Sequence, residues 1–160
     1  MSEEGELTTI RCTIDGRPHE HRCHPLASAL DFLRYVAGLT ATKEGCKEGE
    51  CGACAITLDG VVVNSCVVPA AHLQGRRVGT VEGLSRPDEL SALQKAFLEC
   101  GGAQCGICTP GMLVTGARLL EEGERLTEAR IREHMAGNLC RCTGYGKIVE
   151  SLLRASEEER

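Results

Sequence analysis

Thiols at short, fixed intervals are the residues in this chain best suited to chemistry. The run Gly45-Cys46-Lys47-Glu48-Gly49-Glu50-Cys51-Gly52-Ala53-Cys54 sets three cysteines at C-x4-C-x2-C, and Cys66 follows after a short hairpin. This is the plant-type [2Fe–2S] ligand spacing. Four thiolates on a small iron–sulfur core make an anionic group. A tight loop must gather three sulfurs and turn backbone N–H groups toward them. Gly45, Gly49 and Gly52 permit the crowded or left-handed backbone that this requires. Successive N–H groups aimed inward form an anion-binding nest. Zinc sites favour paired C-x2-C units over this triplet. A disulfide knot suits an odd total of 11 cysteines poorly.

A second set lies further on. Cys105-Gly106-Ile107-Cys108 is followed, after 31 intervening residues, by Cys140-Arg141-Cys142. C-x2-C with C-x-C suits zinc or [2Fe–2S] equally, and the first set tips the reading toward iron–sulfur. Thr109-Pro110 directly after Cys108 reads as a helix start, with Thr109 as N-cap and Pro110 at the first helical position. Thr143 after Cys142 can cap another helix. Two helix N-termini would then present N–H groups and partial positive charge to an anionic cluster. Cys100 stands outside the C-x2-C pair and reads as structural.

The elements that must position these thiols follow from pattern. Leu7 to Ile14 alternates, with Ile10, Cys12 and Ile14 on one side, as a half-buried strand does. Asp15-Gly16 is a two-residue hairpin signal, and Arg17 to Cys23 returns. His19, His21 and His24 on that return read as solvated side chains, and Cys12 and Cys23 as small buried residues. Leu26, Leu30, Leu33 and Ala37 form a helical stripe over 26–37, closed by Gly38. Strands 55–58 and 61–65 flank Asp59-Gly60, and a short strand lies around 77–81. Two strands, a helix and two strands, with the thiol loop after the helix, make a β-grasp, plant-type ferredoxin layout. After Gly83 the pattern is helical: 87–100 with Ser85 or Ser91 near its start, 110–122 ending at Gly123, 127–136 and 145–153. These four amphipathic segments predict a four-helix bundle. The expected class is α+β, with one domain over 1–83 and a second over 84–160. Residues 1–5 and the Ser156-to-Arg160 tail are expected to fray.

Bulk composition narrows the functions. The 160 residues include 19 glycines, two Phe, two Tyr and no Trp, so the core must be aliphatic and metal clusters can add stability. A net charge of −5 without a Lys/Arg-rich run argues against a nucleic-acid partner. No apolar stretch approaches the ~20 residues of a membrane span. The acidic N-terminus is not a signal peptide. A cysteine-rich chain of this kind is expected to be cytoplasmic and metal-binding. No nucleophile–base set stands out, and His72 and His134 read as isolated.

The glycine-flanked first set, Cys66, the run Gln104-Cys105-Gly106-Ile107-Cys108-Thr109-Pro110-Gly111-Met112, and the run Gly137-Asn138-Leu139-Cys140-Arg141-Cys142-Thr143-Gly144-Tyr145 together resemble the iron–sulfur subunit of the xanthine oxidase family of molybdenum hydroxylases. The resemblance spans roughly residues 6–155. Ile107 stands where the family often has an aromatic. The short Cys54–Cys66 interval and the end of the chain after the helices are similar to separate prokaryotic small subunits. The resemblance implies that Cys46, Cys51, Cys54 and Cys66 bind one [2Fe–2S] cluster toward a flavin subunit. It implies that Cys105, Cys108, Cys140 and Cys142 bind a second toward molybdopterin, with Gln104 contacting the pterin. The implied partners are a large molybdopterin (Mo) subunit and a medium FAD subunit, in a dimer of heterotrimers. The chain would be an electron-transfer subunit of an oxidoreductase and not itself catalytic. A free-standing two-cluster ferredoxin, a zinc-stabilised interaction protein and an assembly factor are the rival readings. The substrate would lie in the large subunit's reach, not here.

Overall fold

The computed structural model describes residues 6–86 and 88–158. The expected frayed stretch 1–5, the expected helix start at Pro87 and the last two residues of the tail lie outside them.

Alternation builds the sheet. In β1 (Thr8–Ile14) the inward residues Ile10, Cys12 and Ile14 are buried. Asp15 and Gly16 both take positive φ, 49° and 77°, which a two-residue hairpin of primed type demands. The chain returns as β2 (Arg17–Cys23), antiparallel to β1. β3 (Ala55–Leu58) and β4 (Val61–Asn64) form a second such hairpin around Asp59 and Gly60, at φ 51° and 88°. β5 (Arg77–Gly79) lies between β1, to which it is parallel, and β3, to which it is antiparallel. The result is a mixed sheet in the order β2-β1-β5-β3-β4. Cys12 and Cys23 are buried, as their positions predict. His24 is exposed as expected, but the other two histidines of this stretch are not. His19 and His21 face inward and are half-buried. Their rings meet at 3.3 Å between Nδ1 and Nε2, and His21 packs edge-on against Phe32. They share β2's inward side with Cys23, so the sheet's period placed them there.

The expected helix over 26–37 is shorter and changes pitch. α1 (Ala29–Asp31) begins at Ser28, whose Oγ accepts the Asp31 N–H at 3.0 Å. Leu26 falls before this cap and is exposed. A π-turn over Phe32–Val36 then carries the chain on, with Ala37 N–H bonded to Phe32 C=O. This wider turn lets Phe32 and Leu33, adjacent in sequence, both enter the core fully. Gly38, at φ 75°, closes it as expected.

The rest is helical. α2 (Ala92–Glu99) starts at Ser91 with a reciprocal capping box to Gln94. α3 (Thr109–Glu121) is followed by α4 (Glu128–His134), capped by Thr127, and α5 (Gly146–Glu158) closes the chain. The molecule is thus α+β, with one mixed sheet and five α-helices among the described residues. α5 runs past the expected end at 153. Ala155 and Ser156 are buried, so packing outweighs the polarity of the tail.

Two apolar clusters form. Ile10, Ile14, Phe32, Leu33, Ile56, Leu73 and Val78 fill the space between sheet and α1. Phe97, Met112, Leu119, Ile131, Ile148 and Leu152 fill the helical part. The connecting segment is pinned on both sides. Asp15 accepts the Thr80 N–H at 2.7 Å and its hydroxyl at 2.6 Å, and Glu82 accepts the Ala41 N–H at 2.9 Å. Among the described residues, no helix is long and apolar enough to cross a membrane.

Candidate metal centres

The first thiol loop hangs between the π-turn and β3. Arg34 holds its entry by donating to the carbonyls of Thr40 and Thr42, each at 2.7 Å. Lys47 and Gly49 take positive φ, 60° and 82°, which folds the loop back over itself. The N–H groups of Glu48 and Glu50 then both reach Cys46 Sγ at 3.4 Å, and the Cys46 N–H reaches Cys51 Sγ at 3.3 Å. A Cβ on Gly45 would sit 2.6 Å from Cys51 Sγ, so only glycine leaves that sulfur its place. Cys66 arrives on a short 3-10 turn after β4, anchored by the Ser65 hydroxyl donating to Cys54 C=O at 2.7 Å. Its sulfur lies against Cys54 and near Cys46. The loop therefore brings Cys46, Cys51, Cys54 and Cys66 together.

The second set comes from two chain junctions. Cys105 Sγ and Cys142 Sγ are 3.4 Å apart, and Cys108 and Cys140 are in contact beside them. Cys108 itself occupies the N-cap position of α3, and this corrects the expectation that Thr109 caps it. Thr109 is the first helical residue, and its buried hydroxyl has no hydrogen-bond partner among the described residues. Thr143 does not cap α5, which starts at Gly146 directly after Tyr145, and this corrects the expectation; its side chain serves Cys140 instead. Its hydroxyl donates to Cys140 Sγ at 3.2 Å and accepts the Tyr145 N–H at 3.2 Å. The Tyr145 hydroxyl in turn accepts the Cys140 N–H at 2.9 Å. Gln104, Cys105, Ile107 and Cys142 are exposed, whereas Cys108 is buried. Cys100 ends α2 against Arg154, outside both sets.

The thiols within each set are electrostatically unlike. Backbone N–H groups of Glu48, Cys51 and Glu50 bring Cys46 down to about 6, while burial pushes Cys66 up to about 11. In the second set burial opposes ionisation of Cys140. The Thr143 hydroxyl and N–H and the Cys142 N–H outweigh it and bring the thiol to about 7. Burial raises Cys108 to about 12. The Ile107 N–H lowers Cys105, and contact with Cys105 raises Cys142. Four adjacent thiolates repel one another, so all four ionise only around a cation.

The two sets meet at a polar joint. The Leu139 N–H donates to Cys51 C=O at 2.9 Å, and the Asn138 side-chain amide donates to Gly52 C=O at 3.0 Å. Asn138 is only 5% exposed. A Cβ on Gly111 would strike the Gly52 carbonyl, and one on Gly52 would strike Gly137.

Comparison with known proteins agrees with this geometry. Residues 12–85 match the family model described as 2Fe-2S iron-sulfur cluster binding domain, and residues 80–153 match that described as [2Fe-2S] binding domain. The xanthine dehydrogenase iron-sulfur-binding subunit of Escherichia coli O157:H7 is 43% identical over 150 residues, covering 92% of this chain and 94% of that one. The nicotinate dehydrogenase small FeS subunit of Eubacterium barkeri is 42% identical over 149 residues, covering 93% and 95%. A chain in the crystal structure of quinoline 2-oxidoreductase from Pseudomonas putida 86 superposes with a TM-score of 0.92 at 42% identity, covering 96% of each. The chain belongs to the iron–sulfur subunits of the xanthine oxidase family of molybdenum hydroxylases. In the aldehyde oxidoreductase of Desulfovibrio desulfuricans the same fold (TM-score 0.91, 36% identity) covers 17% of a longer chain. Within the family the fold thus occurs both as a separate chain and as part of a larger one.

Both sets fit a [2Fe–2S] group. Each offers four sulfurs, with N–H or hydroxyl donors on sulfur and, at Gly45, a cradle that a Cβ would fill. Among the described residues no three His, Cys, Asp or Glu side chains close on one ion's position. The four thiolates of a two-iron core are shared between two metals and need not converge on one point. The family motif carried residues whose roles the sequence did not disclose: Asn138, Leu139 and Gly111 in the joint, and Tyr145 behind Cys140. Their only signal was membership of the runs 104–112 and 137–145.

Proposed function

We propose that this chain is the electron-transfer subunit of a molybdenum hydroxylase. Cys46, Cys51, Cys54 and Cys66 hold one [2Fe–2S] cluster, and Cys105, Cys108, Cys140 and Cys142 hold the other. When bound, these groups supply one-electron carriers between molybdopterin on a large subunit and FAD on a medium subunit. The observation that carries this reading is the joint. Cys51 and Cys140, one from each set, are linked through a single hydrogen bond, Leu139 N–H to Cys51 C=O, and one peptide bond.

The chain's own residues do the rest. Glycine-permitted turns and N–H donors hold the thiolates in fixed cages, so a change of one charge requires little rearrangement. Exposed Cys105 and Cys142, with Gln104 and Ile107 beside them, form the face offered to the molybdopterin subunit, and Gln104 is the pterin contact. The first cage faces the FAD subunit. The architecture is read as a β-grasp domain over 1–83 and a four-helix domain over 84–160, working in a dimer of heterotrimers in the cytoplasm.

Iron and acid-labile sulfide per chain, with EPR of the reduced protein, test this. Two [2Fe–2S] centres require four of each and two distinct S = 1/2 signals. Zinc in place of half the iron, with one signal, overturns it. Co-purification with two larger chains separates the subunit from a free-standing ferredoxin.

A further inference from the structure

The joint between the two halves does more than hold them together. Peptide groups are planar and trans, so fixing a carbonyl in one direction fixes the following N–H in the other. Leu139 N–H pins the Cys51 carbonyl, and the Asn138 amide pins the Gly52 carbonyl, both toward the helical half. The N–H groups of Gly52 and Ala53 must then point away from that half; the N–H groups already on sulfur in this loop are those of Cys46, Glu48 and Glu50. Hydrogen-bond donors aimed at cluster sulfurs stabilise the reduced, more anionic state and so set the potential.

Asn138 is well suited to that duty. It is almost fully buried, and its side-chain amide, not its backbone, makes the bond. Gly52 sits at φ 67° with no room for a Cβ against Gly137 and Asn138, and its carbonyl is held from two sides, by the Asn138 amide at 3.0 Å and by the Ala55 N–H at 3.1 Å. The residue spans 86 positions of sequence to reach it. Yet in the chain it lies two residues before Cys140, a thiol of the other cage.

We infer that Asn138, which belongs to the helical half, is a positioning residue for the cluster of the sheet half: it sets that cluster's reduction potential by orienting the Gly52–Ala53 peptide. The inference rests on the assignment of Cys46, Cys51, Cys54 and Cys66 as that cluster's cage.

The experiment is EPR-monitored redox titration of the purified, assembled complex carrying Asn138→Ala, with Asn138→Ser and Asn138→Asp beside it. The signal of the sheet-half cluster is assigned independently by its loss in Cys46→Ser. In Asn138→Ala that signal is expected to become harder to reduce by about tenfold in the equilibrium constant, ~59 mV for a one-electron couple. The signal of the helical-half cluster stays in place and the iron content is unchanged. Asn138→Ser keeps a donor and shifts it less. Asn138→Asp sets a carboxylate against the carbonyl and shifts it more. Loss of the sheet-half signal with its iron retained means a couple moved below the reductant's reach and supports the inference, whereas loss of the signal together with its iron overturns it. Unmoved potentials, equal movement of both, or a shift confined to the helical-half cluster two residues away overturn it. If the unaltered protein lacks either signal, the cage assignment fails first, and that outcome is separate from these.

Discussion

The two cages are built on opposite plans. In the first, one continuous loop supplies three sulfurs, and glycines and backbone N–H groups arrange them. Its sulfurs are half-buried or buried. In the second, two junctions distant in sequence each supply a pair of sulfurs. Helix α3, the Thr143 hydroxyl and the Tyr145 hydroxyl bring them together, and two sulfurs remain exposed. The first cage is local and encoded by backbone freedom. The second is tertiary and stands or falls with helix packing. A molecule can thus place one redox site where its own loop shields it and leave the other open toward a partner.

That contrast can be broken in several ways. The largest effect is expected from Cys105→Ser or Cys140→Ser. Either should abolish the second EPR signal and stop turnover of the assembled enzyme while the first signal persists. Cys12→Ser, a buried thiol in neither cage, should leave both signals in place. Unchanged turnover in Cys105→Ser would defeat the electron-transfer assignment. Next is Gly111→Ala, whose methyl meets the Gly52 carbonyl. Overpacking of this kind costs about 1–3 kcal/mol, measurable as a lowered denaturation midpoint. Gly146→Ala, with open space and no positive φ, should be neutral or slightly stabilising. Tyr145→Phe removes the acceptor of the Cys140 N–H and should cost about 1 kcal/mol, with the second cluster lost sooner than the first on heating. The smallest effect is chemical. In the cluster-free chain, thiolate rises with pH through about 6 for Cys46 and about 7 for Cys140, whereas Cys66 and Cys108 stay protonated until about 11 and 12. Iodoacetamide at neutral pH should therefore label Cys46 and Cys140 before Cys66 and Cys108, as peptide mapping would show.

Local chemistry made much of this legible in the sequence. Asp15-Gly16 and Asp59-Gly60 adopt the conformation that their side chains favour, so both hairpins are where the pattern put them. The cysteine spacings marked the eight thiols that now stand together. The failures have a common cause. Leu26 looked like part of a helical stripe, but Ser28 with Asp31 made a better start and left it outside. Phe32 beside Leu33 needed a turn wider than the 3.6-residue period. Ala155 and Ser156 extended α5 because they found burial, which no local rule reveals. Thr109 lost the cap position because Cys108 took it. Asn138 and Gly111 matter through a carbonyl far away in sequence, and such contacts leave no periodic trace.

The joint also has a consequence for how the chain is made. The loop that carries Cys46, Cys51 and Cys54 is complete early in synthesis, but the groups that fix its Cys51 and Gly52 carbonyls lie at residues 138 and 139. During translation the loop emerges while these groups have yet to be added. Its final shape therefore waits until residues 138 and 139 have followed it out of the ribosome.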